Sequence, residues 1–262
     1  SLGGLLIEAA SWRAIFLVNL PLGLLALGLA WRRLPRRTEH DPAGGRPHGS
    51  PRCSWPLVAG LLAAFFAFVA LASNMFLVPF ALQSLMGLSP ADAGLVMIAV
   101  PLTILAVAPV SGRLMDRIGP RWPATVGLGL VAAAILLMAR LGPASAVASA
   151  VLTLVVYGIG AGLFQAPNNT AVMTAAPAGA RGTVSGLLAL ARGLGQIAGV
   201  ALAGAIWGRR QDNYARDVAA TDALGRALRD AFLVLAGVAL VAVLVSLLRG
   251  EAVVREEGGT RR

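Results

Sequence analysis

The sequence predicts an all-α, polytopic membrane protein. Hydrophobic residues make up 57% of the 262-residue chain and charged residues only 13%, about half the charge of an ordinary soluble domain. Mean hydropathy is +0.77. Apolar stretches near the ~20 residues that a helical span requires recur along the whole length. They are continuous or helix-like rather than ~10-residue segments of alternating polarity, so an outer-membrane barrel does not fit.

Taken in order, residues Ser1 to Trp12 read as the exit of a helix already under way, with no cleavable signal pattern. The chain is therefore expected to be a piece of a longer protein. Spans are expected at 14–31, 57–82, 92–111, 123–140, 146–167, 183–207 and 230–248. The second belongs to a stretch, Trp55 to Met86, longer than one upright helix needs. It is taken as a single span, tilted or carrying an interfacial extension. Pro79 and Pro101 lie inside apolar runs and mark candidate bends, because neighbouring helices can satisfy the carbonyls that a proline frees. Arg32 to Pro56, rich in Arg, Pro, Gly and His, has no apolar period and reads as a flexible linker. The expected organisation is an end of one bundle (1–31), a linker (32–55), a six-span bundle (56–249) and a tail (250–262).

The formal charge of +10 comes from 22 basic residues, all of them arginine. They stand singly or in pairs at the ends of apolar runs, which is a membrane-orientation signal rather than a nucleic-acid footprint. With alternating topology, segments 32–55, 112–122, 168–182 and 249–262 share one side and carry fourteen arginines. The other side carries seven, five of them in a long loop from Gly208 to Arg229 whose Asp212, Asp217 and Asp222 offset part of the charge. The positive-inside rule then places the linker and the tail in the cytoplasm of a multi-pass cell-membrane protein.

Little in the chain suggests catalysis. Cys53 is the single cysteine, His40 and His48 both fall in the linker, and there is no lysine for a phosphate loop. Gly158 and Gly160 would begin a dinucleotide fingerprint, but its third glycine falls on Leu163. No enzyme, metal, cofactor or nucleic-acid partner is expected.

Other residues stand out. Gly112 to Arg121, GRLMDRIGPR, is a charged, glycine-punctuated turn between two apolar stretches. Its glycines permit tight backbone, and Asp116 can meet helix amino ends or arginines, as a conformational latch would. Taken alone it reads more readily as a topogenic loop anchored at lipid headgroups. Arg192 is the charged residue placed well inside a span; it either faces a cavity or partner, or snorkels to the surface. Asn74, Phe76, Gln83, Tyr157 and Phe164 have the mix of aromatic and amide groups that suits a pocket for large lipophilic compounds or packing between helices, while Gln165 and Gln196 in apolar stretches, and Asn168 and Asn169 after Pro167 at the end of a span, can hydrogen-bond a substrate or another helix. The pairs Gly158/Gly162 and Gly195/Gly199 have the spacing that draws two helices together.

The turn, with Gly112, Arg113, Asp116, Arg117, Gly119 and Arg121, resembles the G-x-x-x-D-R-x-G-x-R loop of the major facilitator superfamily. Gly3, Gly4, Ser11-Trp12-Arg13, Ile15-Phe16, Asn19, Pro21 and Gly23 are similar to a signature of its multidrug-efflux, drug:proton antiporter branch. Gly158, Gly160, Gly162 and Pro167, followed by Arg181-Gly182, Ser185-Gly186, Arg192, Gly195 and Gly199, are similar to the late helices of that branch. The resemblance implies the last helix of an amino-terminal bundle followed by a six-helix carboxy-terminal bundle, in a twelve-span layout whose first four spans precede Ser1. It implies export of small amphipathic compounds in exchange for protons by alternating access, with membrane lipid as the surroundings and the coupling acid upstream. A non-transporting helical scaffold, or an inactive half-carrier, is the other class that the sequence admits.

Overall fold

A computed structural model describes residues 54–177, 179–214 and 219–249, together with three helical positions earlier in the chain, Pro21, Leu24 and Gly28. The chain divides into two units, Ser1–His48 and Gly49–Arg262. The rest of the expected span at 14–31, residues 32–53 of the expected linker and the tail from residue 250 lie outside the described residues, and Trp55, expected at the linker's end, opens the first helix of the second unit.

The described residues of this unit form helices and no strand: α1 Trp55–Phe80, running on through a π-helical turn Ala81–Leu85, then α2 Pro90–Met97, α3 Ala99–Ile118, α4 Arg121–Met138, α5 Val147–Thr174, α6 Arg181–Tyr214 and α7 Ala220–Leu247. Counting α2 with α3, six are long and apolar enough to cross a membrane.

Prolines shape the first two spans. Pro79 removes one backbone donor from α1, and the helix widens directly after it, with the Met86 amide reaching Ala81 O at 3.1 Å. Gly87, at φ +72°, then ends the span, and Ser89 caps α2 by accepting from the Asp92 amide at 3.1 Å. Pro101 cannot donate to the carbonyl of Met97, and the interruption at Ile98 falls in that turn.

Three helix boundaries differ from the sequence expectation. The α5 helix continues past Pro167 to Thr174, so Asn168 and Asn169 stand on a helical turn rather than in a loop. One proline frees a single carbonyl, and the surrounding bundle tolerates it. The charged segment after Gly112 is helical as far as Ile118; the tight turn is Gly119, at φ +77°, and Pro120. The expected loop 208–229 is largely helix, since α6 runs to Tyr214 and α7 starts at Ala220. Arginine and glutamine lower hydropathy there without lowering helix propensity, and the alanines raise it. The two extensions are joined by Tyr214 donating to Asp230 at 2.8 Å and by an Arg210–Asp230 ion pair at 3.3 Å.

Glycine lets the helices meet backbone to backbone. A Cβ on Gly127 of α4 would lie 2.6 Å from Gly160 O of α5, and one on Gly160 would lie 2.6 Å from Gly127 O. Gly158 lies against Thr103, and Gly162 against Val107, both on α3. On α6, Gly195 and Gly199 lie against the backbone of Phe65 and Val69 on α1. Interhelical hydrogen bonds run close by: Ser73 Oγ donates to Gly199 O at 2.8 Å and Tyr157 Oη to Leu71 O at 2.9 Å. Leu77, Leu82, Ile135, Leu154, Phe232 and Leu235 fill the main core. By contrast, α3 buries only Val100 and Ser111.

Gly127→Val should lower the melting temperature of the detergent-purified protein, because the α4 and α5 backbones must part to admit the side chain, at about 1–3 kcal/mol. Gly129→Ala, a site with nothing within 4 Å of the added carbon, should be neutral or raise it by up to about 1 kcal/mol. Thermal unfolding followed by circular dichroism compares the two.

Candidate functional site

A cavity of about 770 Å³ opens between α1, α3, α5 and α6, against Phe68, Met75, Phe76, Pro101, Ile104 and Val200. Its polar lining is Tyr157, Gln165 and Gln196. The helix seams explain its position. Glycine holds α5 to α3 and α6 to α1, so the faces of α3 and α6 turned away from those seams remain uncovered. The cavity is thus apolar with two amides, the Tyr157 hydroxyl being tied to Leu71 O, and no charged side chain stands among its lining residues. Apolar walls with a few convergent amides are the usual make-up of a small-molecule cleft.

Of the pocket candidates read from the sequence, Tyr157, Gln165 and Gln196 meet here, with Phe76 beside them. Five others lie elsewhere. Phe164 is buried among Ala67, Ala124, Leu128 and Ala242. Asn74 is fully buried in α1, and both of its amide atoms lack a hydrogen-bond partner among the described residues. Gln83 is half-buried in the π-helical turn. Asn168 and Arg192 belong to a separate polar cluster.

That cluster is built on the turn after Pro167. Asn168 and Asn169 are successive residues of α5, about 100° apart around its axis, and each accepts from an arginine of a different helix. Arg192 of α6 donates to Asn169 Oδ1 and lies 5.7 Å from the centre of the Phe68 ring. Arg249, just beyond α7, donates to Asn168 Oδ1 at 2.9 Å and is 3% exposed. Its guanidinium fits because Gly60 has no side chain: a Cβ there would lie 2.6 Å from Arg249 Nη2. Burial pulls the Arg249 guanidinium down to about 10, still a cation at neutral pH. Sequence reading counted Arg249 only among the orienting charges of segment 249–262, since an arginine after a last span looks topogenic.

The charged turn sits at the same end of α7. Arg121 donates to Leu247 O at 2.6 Å, and Trp55 Nε1 to Leu248 O at 2.8 Å, so two distant residues cap the carboxy-terminal carbonyls of α7. Gly112, Arg113, Asp116 and Arg117 lie on the last turns of α3, Gly119 in the turn, and Arg121 opens α4. No group of three or more metal-ligating side chains occurs among the described residues.

The described residues form a helical bundle with spans of this length, closed by glycine seams and open at a mostly apolar cavity, which defines a multi-pass membrane protein. The chain belongs to the Major Facilitator Superfamily, whose family model matches residues 1–200. It is similar to the uncharacterized transporter YebQ of Escherichia coli, at 29% identity over 79% of this chain and 58% of that protein. It is 25% identical to the riboflavin transporter RibZ of Clostridioides difficile, over 76% of this chain and 55% of that one. It is also 25% identical to the tetracenomycin C resistance and export protein of Streptomyces glaucescens, over 80% and 49%. The chain spans about half the length of the curated relatives it matches. Family and relatives point to transport rather than enzymatic chemistry.

Asn168→Leu should strip the buried Arg249 of its acceptor and destabilise the folded protein by about 2–3 kcal/mol. Arg249→Met should cost less, and in the double variant the two effects should be far from additive. Melting temperatures of the four proteins make up the cycle.

Proposed function

We propose that the chain is the carboxy-terminal part of a secondary carrier that exports small amphipathic compounds in exchange for protons by alternating access. The observation that carries this reading is the cavity of about 770 Å³ on α1, α3, α5 and α6, whose lining joins apolar and aromatic surface to Tyr157, Gln165 and Gln196. A cavity without a fixed charge suits neutral or delocalised-cation compounds with a large apolar body. The similarity to a resistance and export protein and to proteins named for multidrug resistance supports export of such compounds.

In this reading the substrate lies between this bundle and an amino-terminal one, and the two rock about it. The helix end bearing Asp116, Arg117 and Arg121 acts as a latch at the cytoplasmic mouth, with Arg121 tying α4 to the end of α7. Arg192 positions α6 against α5 through Asn169 and so couples the cavity wall to that same end. The linker and tail are cytoplasmic, on the arginine asymmetry. The acid that exchanges protons is assigned to the preceding half, since the cavity lining named here has none.

Expressed as the whole protein in efflux-deficient cells, the wild type should lower ethidium accumulation, and a protonophore should abolish that effect. Arg192→Ala and Asp116→Asn should each slow efflux about tenfold. Gln165→Leu and Gln196→Leu should change the preference among substrates by about three- to tenfold, the worth of one hydrogen bond. Undiminished efflux by the Asp116→Asn, Arg192→Ala double variant contradicts the latch. Wild-type efflux that ignores the protonophore contradicts proton exchange.

A further inference from the structure

A second cavity, of about 500 Å³, lies between the end of α4, the loop after it and the start of α7, sharing no residue with the first. Its rim holds Arg140, Arg226 and Arg229 with a single carboxylate, Asp222, and Leu85 and Leu141 are among its apolar lining. The one ion pair among the described residues is Arg210–Asp230, so none of the three rim arginines is taken up in such a pair there. The rim therefore carries a net positive charge facing an open, partly apolar recess.

The helices beneath it say what kind of anion fits. α4 and α7 run antiparallel: Arg121 and Thr125 at the start of α4 reach Leu247 and Ser246 at the end of α7, which puts Arg140 beside the start of α7. Each helix then carries a line of exposed apolar side chains leading away from the rim. On α4 these are Leu137 and Val126, eleven residues apart and so on one face; on α7 they are Leu233, Leu240 and Leu244, seven and four apart. Guanidinium groups gathered at the head of two apolar tracks match a phosphodiester bearing two acyl chains. A free anion has no use for the tracks.

We infer that this cavity binds the headgroup of an anionic phospholipid, with Arg140, Arg226 and Arg229 on the phosphate and the acyl chains lying along α4 and α7. Three arginines against one aspartate favour a headgroup with net negative charge over a zwitterionic one. Asp222 accepts from a headgroup hydroxyl, as phosphatidylglycerol offers. The site is independent of the transport cavity and of the function proposed for it.

The test is lipid binding to the detergent-purified protein, read by native mass spectrometry during titration with phosphatidylglycerol, phosphatidylcholine or inorganic phosphate. Phosphatidylglycerol should bind more tightly than the other two. Arg140→Gln, Arg226→Gln and Arg229→Gln should each weaken it about fivefold, and the triple variant about a hundredfold. Arg209→Gln, an exposed arginine outside the cavity, should leave it unchanged. Melting temperature without added lipid checks that each variant is folded, and the single Arg140→Gln variant decides if the triple one is not. Equal binding of phosphatidylcholine, binding of phosphatidylglycerol that ignores the rim variants, or phosphate alone binding as tightly as the lipid each overturns the assignment.

Discussion

Glycine backbones in contact at Gly127 and Gly160 hold α4 against α5, the close approach on which this bundle is built. In lipid the apolar surface of one helix gains nothing by leaving lipid for another helix, so close packing and interhelical hydrogen bonds must hold the bundle together. Helices whose backbones touch gain the most dispersion contact per turn. With α4 and α5 fixed in this way, Gly158 and Gly162 bring α3 to the next side of α5, while Gly195 and Gly199 seat α6 on α1. The hydrogen bonds from Tyr157 to Leu71 and from Ser73 to Gly199 supply polar ties across α1 with α5 and α6.

The same economy leaves α3 and α6 covered along narrow strips. Each is held by small residues on one side and offers large apolar side chains, such as Leu105 on α3 and Ile197 on α6, on another. Two loosely covered helices beside a common recess make a surface suited to a second bundle and to a molecule lying between the two. The polar cluster at one end of α5 gives that surface a point of control. Its arginines reach Asn168 and Asn169 from two separate helices, so a shift of α6 against α7 must disturb the turn after Pro167.

Much of this was legible from the chain, and the parts that were not have physical reasons. Span existence is set by hydrocarbon thickness, which demands apolar length and so writes itself into the sequence. Helix rotation is another matter. α1 and α5 are apolar almost all the way round, so Asn74 and Gln165 look alike as sequence, although one is fully buried and the other lines a cavity. Gly127 and Gly160 escaped because they sit on different helices, and no spacing within one helix reveals a pair shared by two. Arg249 and the helical ends around Tyr214 and Ala220 were hidden for the opposite reason. Charge near a span end reads as loop or tail, whatever backbone it rides on and wherever its side chain turns.

If the chain works as proposed, the face bearing Gln196 is a water-accessible substrate path while the outer face of α7 is buried in lipid. The most direct measurement is the labelling of single cysteines by a membrane-impermeant maleimide in the whole protein, with the native Cys53 replaced by serine. Gln196→Cys should be labelled, and its rate should change when a transported compound is added, whereas Val241→Cys on α7 should stay unreactive throughout. A cysteine at 196 that is as inert as the one at 241, with and without compound, would contradict the account.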